Sequence, residues 1–241
     1  MIYHYEKIRV NSLEEFFKKY EEGYLFNNIH LDADKMKELG NFLRTKGDCP
    51  TKFALWGYFL YYGYDGQPDY EQAFFYFRLA ALSKDIRALN SLGTCYFKGQ
   101  GIEQDQERAM FCYEKAAEQN YVIAQFNLGL CYYAGKGTNK DYKKAFYWFN
   151  KASELNHTKA QFYLGLCYEY GLGVPQNHEK AFHYMEEAAN KEHDYAEYKL
   201  GYYYLNGIGV NKDNDKAYYW LNKAALQGVA EAFVALEDFD S

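Results

Sequence analysis

Glycine and alanine recur along this chain at a fixed spacing of 36 residues. The glycines on this spacing are Gly57, Gly93, Gly129, Gly165 and Gly201. Two alanine series keep the same spacing, one through Ala73, Ala109, Ala145, Ala181 and Ala217, the other through Ala88, Ala124, Ala160, Ala196 and Ala232. Self-similarity at such a period is typical of repeat arrays, in which each unit buries its apolar face against its neighbours. We therefore expect one continuous array rather than a domain with a single central core.

Each repeat is predicted to contain two helices, which we name helix A and helix B. Helix A is expected at about 51–62, 87–98, 123–134, 159–170 and 195–206. Helix B is expected at about 70–83, 106–119, 142–155, 178–191 and 214–227. A Gly-x-Gly turn such as Gly99–Gly101 joins the two, and its first glycine is expected to end helix A in the left-handed conformation. An Asp or Asn is then expected to cap helix B, at Asp69, Asp105, Asp141, Asn177 and Asp213.

The glycine inside helix A is unfavourable by about 1 kcal/mol relative to alanine, so its recurrence indicates a steric requirement. We expect the backbone of helix B to pass too close to this position for a Cβ atom. A column of large aromatic residues on helix B is expected to fill the space between repeats, with Cys112 interrupting it. Its members are Tyr76, Trp148, Tyr184 and Trp220.

The two ends of the chain lack the full repeat pattern and are predicted to cap the array. Residues 1–50 are expected to form a short lead-in and a helix pair, the first helix opened by a capping box of Ser12 and Glu15. The second helix is expected to be capped by Asp32 or Asp34 and closed by Gly47. Residues 229–241 are expected to form a C-terminal capping helix, because Glu237 stands at the repeat's glycine position.

Composition excludes several classes of partner. The net charge is −6 with a pI near 5.6, and duplex binding depends on Lys and Arg neutralising phosphates, so we expect no nucleic-acid partner. There is no polybasic stretch for an anionic membrane and no window of about 20 apolar residues that would span one. Charged residues interrupt the first ten positions, so no signal peptide is expected, and we place the protein in the cytoplasm.

The five cysteines are predicted to be reduced and structural. Cys95, Cys131 and Cys167 share one repeat position, and equivalent positions in stacked helices lie about 10 Å apart, too far for a disulfide. Cys49 and Cys112 are left unassigned. No C-x-x-C pattern is present to indicate a zinc site.

The repeated pattern L-G-x-x-Y, G-x-G and D-x-x-K-A, with an aromatic residue three positions after that alanine, resembles the Sel-1-like repeat family. The resemblance covers about residues 51–238, with five repeats over 51–228. It implies an all-α fold, a right-handed α-α superhelix (solenoid) of antiparallel helix pairs related to tetratricopeptide repeats, and a role as a protein–protein adaptor. Some members carry a cysteine pair in each repeat, and a few were described as β-lactamase-like. This sequence lacks that paired pattern.

In such superhelices helix A lines the concave face, so side chains on the outer side of helix A are the predicted partner-binding residues. The set is rich in aromatic residues and poor in charge, as is common at binding hot spots. The alternative is that many of these rings only pack against the adjacent helix A. The predicted residues are Tyr58, Tyr61, Tyr62, Thr94, Phe97, Lys98, Asn127, Leu130, Tyr133, Tyr163, Leu166, Tyr170, Lys199 and Tyr202.

No catalytic, cofactor or metal site is predicted. His178, His183 and His193 have no spacing that places them together, so they are interpreted as surface residues. Gly-x-Gly recurs without a preceding strand, which indicates a helix stop and not a phosphate site. We therefore expect a monomeric, non-enzymatic protein that binds another protein or a peptide. The alternatives are an immunity protein that inhibits a cognate toxin or enzyme and, more remotely, a β-lactamase-like hydrolase.

Overall fold

The computed structural model describes residues 7–22, 26–45, 50–64 and 66–239. Its contacts group the chain into two compact units, unit 1 from Met1 to Tyr121 and unit 2 from Val122 to Ser241. The first two repeats belong to unit 1 and the remaining three to unit 2. The predicted helix stop Gly47 and the cysteine Cys49 lie outside the described residues.

Unit 1 opens with a small α/β segment. Strand β1 (Ile8–Arg9) pairs in parallel with β2 (Ile29–His30), and helix α1 (Leu13–Glu22) lies between them in sequence. Helix α2 (Ala33–Thr45) follows. The Ser12 hydroxyl accepts from the Glu15 amide at 3.1 Å, which is the predicted cap of α1. Asp32, and not Asp34, caps α2, because its carboxylate accepts from the Lys35 amide at 2.8 Å.

The two repeats of unit 1 are α3 (Pro50–Tyr62) with α4 (Tyr70–Leu82), and α5 (Ile86–Lys98) with α6 (Gln106–Ala117). Consecutive helices pack on each other, and α3 also packs on α2. The N-terminal segment is tied to the second repeat through Arg87. Its guanidinium lies 3.7 Å from the centre of the Tyr20 ring and donates to the Tyr20 carbonyl oxygen at 3.0 Å.

Unit 2 consists of seven helices in its described part. They are α7 (Val122–Ala134), α8 (Tyr142–Glu154), α9 (Thr158–Tyr170), α10 (His178–Ala189), α11 (Asp194–Asn206), α12 (Asn214–Leu226) and α13 (Ala230–Phe239). Each packs against the next one in the chain. The odd-numbered helices α3 to α11 are the A helices and the even-numbered α4 to α12 are the B helices. The predicted fold class, an all-α solenoid of repeats of about 36 residues, is confirmed.

The helix boundaries follow from the predicted caps. All five predicted residues cap helix B through a side-chain oxygen that accepts from the backbone amide three residues on: Asp69, Asp105, Asp141, Asn177 and Asp213. Gly99 ends α5 with a left-handed φ of 69°, which its missing side chain permits.

The predicted reason for the glycine column in helix A is incomplete, because the nearest atoms of helix B belong to a side chain. A Cβ added at Gly129 would lie 2.6 Å from the Phe149 ring, and one at Gly93 would lie 2.7 Å from the Tyr113 ring. A large side chain of helix B therefore rests on the glycine. The predicted approach of the helix B backbone is present as well at Gly93 and Gly201, where a Cβ would lie 3.1 Å from the Ala109 carbonyl oxygen and 3.0 Å from the Leu221 amide nitrogen. The residues whose side chains rest on the glycines are Phe77, Tyr113, Phe149, Met185 and Leu221, one position after the predicted aromatic column. The second glycine of the turn has a different neighbour, since a Cβ at Gly173 would collide with the Tyr142 carbonyl of the preceding repeat.

The cysteines of the described part are free and buried: Cys95, Cys112, Cys131 and Cys167. Burial raises the pKa of the Cys95 and Cys167 thiols to about 12, and that of Cys112 and Cys131 to about 11. They are small packing residues held in the protonated state at neutral pH.

Candidate functional site

The predicted binding residues of unit 1 fall into packed and exposed groups. Tyr58 is engaged in packing, because its ring stacks on Phe26 at 5.5 Å and meets Phe77 edge-on at 5.0 Å. Its hydroxyl accepts from Ser91 Oγ at 2.9 Å, and burial raises its pKa. Tyr62 is 42% exposed and is the aromatic residue of this group most open to a partner.

The other unit 1 residues surround a polar contact near the ends of α3 and α5. The Tyr61 hydroxyl donates to Gln100 Oε1 at 2.6 Å and lies 3.5 Å from Lys98 Nζ. Thr94 Oγ1 lies 3.3 Å from the Tyr113 hydroxyl, and Phe97 is half-buried. Lys98 is exposed, so it is the charged side chain that this part of the surface presents.

In unit 2, the predicted residues on α7 and the first part of α9 form an aromatic cluster. The rings of Tyr133 and Tyr163 meet edge-on at 5.4 Å, and both lie against Phe149 of α8. Burial raises the pKa of both tyrosines. Asn127, Leu130 and Leu166 are half-buried beside them. Each ring packs against neighbouring helices, which is the internal role that the sequence left open, while contact of these rings with a partner stays a prediction.

Between α9 and α11 the surface becomes polar. Lys199 Nζ donates to Glu169 Oε1 at 2.9 Å and to the Tyr170 hydroxyl at 3.1 Å. Tyr170 is 56% exposed and Tyr202 is 37% exposed. Lys199 and Tyr202 are three residues apart on one helix and so lie on the same face. We call Tyr163, Leu166, Tyr170, Lys199 and Tyr202, together with Asn127, Leu130 and Tyr133, the helix-A surface of unit 2.

Sequence reasoning missed two residues of this polar region. Glu169 is 9% exposed and Tyr203 is fully buried. Burial raises the pKa of the Tyr203 hydroxyl, and the negative charge of Glu169 raises it further. The signal that could have revealed them is their departure from the repeat, because Tyr203 stands where Cys95, Cys131 and Cys167 stand in other repeats.

Two histidines have structural roles at the starts of A helices. His157 caps α9 by accepting from the Ala160 amide at 3.2 Å, and its ring lies 4.6 Å from Phe126. His193 caps α11 in the same way and stacks on Phe162. The surface interpretation of His193 is therefore wrong, since its side chain is only 14% exposed. His178 and His183 are exposed as predicted.

The described part of the chain contains no group of three His, Cys, Asp or Glu residues arranged to hold a metal ion. No helix in that part is long and apolar enough to span a membrane. The candidate site consists of tyrosine rings and the buried Glu169–Lys199 ion pair on the outer side of consecutive A helices.

Comparison with known proteins identifies the repeats. The Sel1 repeat family model matches residues 54–85, 86–121, 122–157, 158–193 and 194–229. A crystal structure of a Sel1 repeat protein from Oxalobacter formigenes is 30% identical, with a TM-score of 0.75 over 83% of this chain and 86% of that chain. No match was found among curated proteins.

Two further solved structures share the fold. One is a protective antigen present in uropathogenic Escherichia coli strains, which displays an SLR fold. It is 25% identical, with a TM-score of 0.73, and the match covers 92% of this chain and 50% of that chain. The other is an immunity protein from Pseudomonas aeruginosa, with 21% identity and a TM-score of 0.51 over 76% of this chain and 67% of that chain. With five matched repeats covering most of its length, the chain belongs to the Sel1 repeat family.

Proposed function

We propose that this protein is a non-enzymatic interaction module that binds a polypeptide on the helix-A surface of unit 2. Sel1 repeat proteins are generally protein-interaction scaffolds. The observation that carries the proposal is the exposure of Tyr170, whose hydroxyl accepts from Lys199 Nζ, and of Tyr202, three residues after Lys199 on α11. Tyrosine gives a large contact area with one polar group and is enriched among residues that dominate binding energy.

The packing geometry supports a rigid binding surface. Tyr133 and Tyr163 are fixed against Phe149, and Lys199 is fixed by two hydrogen bonds. Side chains that are already ordered lose little conformational entropy when a partner binds. A partner therefore meets a preformed set of rings and donors on consecutive A helices.

The test is selection of peptide ligands from a phage-displayed random library on the full chain, followed by titration calorimetry. Tyrosine is enriched among the few interface residues whose truncation costs more than about 1 kcal/mol of binding. Tyr202→Ala and Tyr170→Ala should therefore each raise the dissociation constant about tenfold. Tyr133→Ala is a poor test, because this ring also packs on Tyr142 and Phe149 and its loss would destabilise unit 2.

Tyr219→Ala is the matched control, because Tyr219 is 58% exposed but lies on helix B. It should bind the selected peptides like the unmodified chain, and circular dichroism should show all three variants folded. Equal binding by all variants, a loss confined to Tyr219→Ala, or failure to select any peptide would each contradict the proposal.

A narrower form of this function is inhibition of a cognate toxin, as an immunity protein performs it. The observation in its favour is the net charge of −6, which suits a basic toxin domain. Co-expression with a toxin encoded beside this gene should restore growth. Unrestored growth with a folded protein would favour the general interaction module.

A further inference from the structure

The polar region between α9 and α11 breaks the repeat pattern at Glu169 and Tyr203, and it places a lysine at a third position, which varies between repeats. Glu169 stands where other A helices carry Tyr61, Phe97, Tyr133 and Leu205. Lys199 stands where the others carry Leu55, Ser91, Asn127 and Tyr163. Tyr203 replaces the cysteine of three other repeats. In an array of stacked units, shared residues build the stack, so a coordinated departure within one interface indicates a role outside it.

The equivalent positions one repeat earlier hold two uncharged residues. There, Tyr133 and Tyr163 occupy the positions of Glu169 and Lys199 and make an edge-on ring contact at 5.4 Å. Between α9 and α11 the contact is an ion pair, in which the side chain of Glu169 is 11% exposed and that of Lys199 is 19% exposed. A buried ion pair is generally no more stabilising than apolar residues of similar size. Stability alone therefore does not account for the exchange of two rings for two charges.

The hydrogen bonds around Lys199 leave donors available at the surface. An ammonium group has three N–H donors, and those of Lys199 are matched by two acceptors among the described residues, Glu169 Oε1 and the Tyr170 hydroxyl. The Tyr170 hydroxyl accepts from Lys199 and so keeps its own proton to donate. Burial lowers the pKa of Lys199, but the Glu169 and Tyr170 contacts raise it more, so the group stays charged.

The buried side of the cluster holds Lys199 in place. Glu169 Oε2 and the Tyr203 hydroxyl are both inaccessible to solvent, and interaction with the Glu169 carboxylate contributes to the raised pKa of the Tyr203 hydroxyl. The buried carboxylate therefore interacts with both Tyr203 and Lys199, and its Oε1 lies 2.9 Å from Lys199 Nζ. Tyr202, three residues after Lys199 on the same face of α11, adds an exposed ring to this surface.

We propose that Lys199 and Tyr170 form a recognition site for the carboxylate of an Asp or Glu side chain in the bound polypeptide. Glu169 and Tyr203 act as positioning residues. A carboxylate is the acceptor that matches a charged and a neutral donor placed 3.1 Å apart. This inference rests on the proposed function and names the chemistry that the helix-A surface of unit 2 selects.

The test uses acidic peptides selected from the displayed library, each synthesised with its Asp or Glu and with the matching Asn or Gln. The unmodified chain should bind the acidic version at least tenfold more tightly. Glu169→Tyr combined with Lys199→Tyr restores the ring pair of the preceding repeat without leaving an unpaired buried charge. This double variant should bind both versions equally, and should bind the amide version within about twofold of the unmodified chain.

Lys216→Met is the matched control, because this lysine is exposed on α12. It should keep the preference for the acidic peptide. Peptides that bind through Tyr202 without any acidic preference would overturn this inference and leave the proposed function standing, as would an unchanged preference in the double variant. A preference that disappears on C-terminal amidation would assign the site to a terminal carboxylate and overturn the side-chain assignment. Failure to select any peptide would contradict both proposals.

Discussion

Substituting Gly129 by alanine tests the glycine contact that spaces helices A and B. The new Cβ would lie 2.6 Å from two carbon atoms of the Phe149 ring. Phe149 is fully buried and also contacts Tyr133 and Tyr163, so the ring has no free volume to move into. Either the helices separate or the ring leaves its preferred position.

Two opposing effects set the expected magnitude. Alanine gains about 1 kcal/mol over glycine inside a helix. Insertion of a methyl group into a packed core costs about 1–3 kcal/mol, and a rigid ring closer than 3 Å places this site at the upper end. We expect Gly129→Ala to lower the free energy of unfolding by about 1–2 kcal/mol.

Gly165→Ala is the matched control one repeat later. Its Cβ would meet the terminal methyl group of Met185 at 2.8 Å, which is the flexible end of an adaptable side chain. The helix propensity gain should then offset the small repacking cost. Urea denaturation followed by far-ultraviolet circular dichroism should give midpoints in the order Gly165→Ala above Gly129→Ala. The reasoning is refuted if Gly129→Ala is as stable as the unmodified chain, or if the order is reversed.

Two further predictions concern buried titratable groups. Burial, together with the nearby charges of Lys159 and Lys191, lowers the pKa of His157 from 6.5 to about 4. Between these pH values the unfolded chain binds more protons than the folded chain. Stability should therefore fall as the pH drops from about 6.5 to 4. The loss of stability should be at most about 3 kcal/mol. The variant His157→Asp copies the cap that Asp85 provides in α5, so urea titrations of this variant should show a weaker pH dependence of the free energy of unfolding. An unchanged pH profile would contradict the role of His157. The buried thiols Cys95, Cys112, Cys131 and Cys167 should resist alkylation at pH 8 in the folded protein and react in urea, as peptide mass spectrometry would show. Rapid alkylation of these four in the folded chain would show that they are accessible.

The 36-residue period was sufficient to predict the helix pairs, because each repeat carries its own stop and cap. Gly99 and Asp105, for example, end α5 and begin α6 as expected. The identity of the residue on each glycine was not predictable in the same way. Adjacent positions on helix B are both apolar, and only packing shows that Phe149, and not Trp148, rests on Gly129.

Sequence reasoning named Lys199 and the exposed tyrosines of the candidate site, but not the buried residues Glu169 and Tyr203. Tyrosines on the outer side of helix A follow from helical periodicity, which placed Tyr170 and Tyr202 correctly on an exposed surface. Glu169 was not singled out, because no pattern within one helix shows that Lys199 of the next repeat pairs with it. Contacts between repeats join residues about 30 positions apart, so they follow from comparison of equivalent positions and not from local spacing.

The most direct test of the proposed binding mode is a crystal structure of the full chain with a selected acidic peptide. We predict that the peptide lies across α9 and α11, with its carboxylate within hydrogen-bonding distance of Lys199 Nζ and the Tyr170 hydroxyl and its backbone beside Tyr202. A peptide bound along the B helices, with Tyr170 and Tyr202 uncovered, would contradict it.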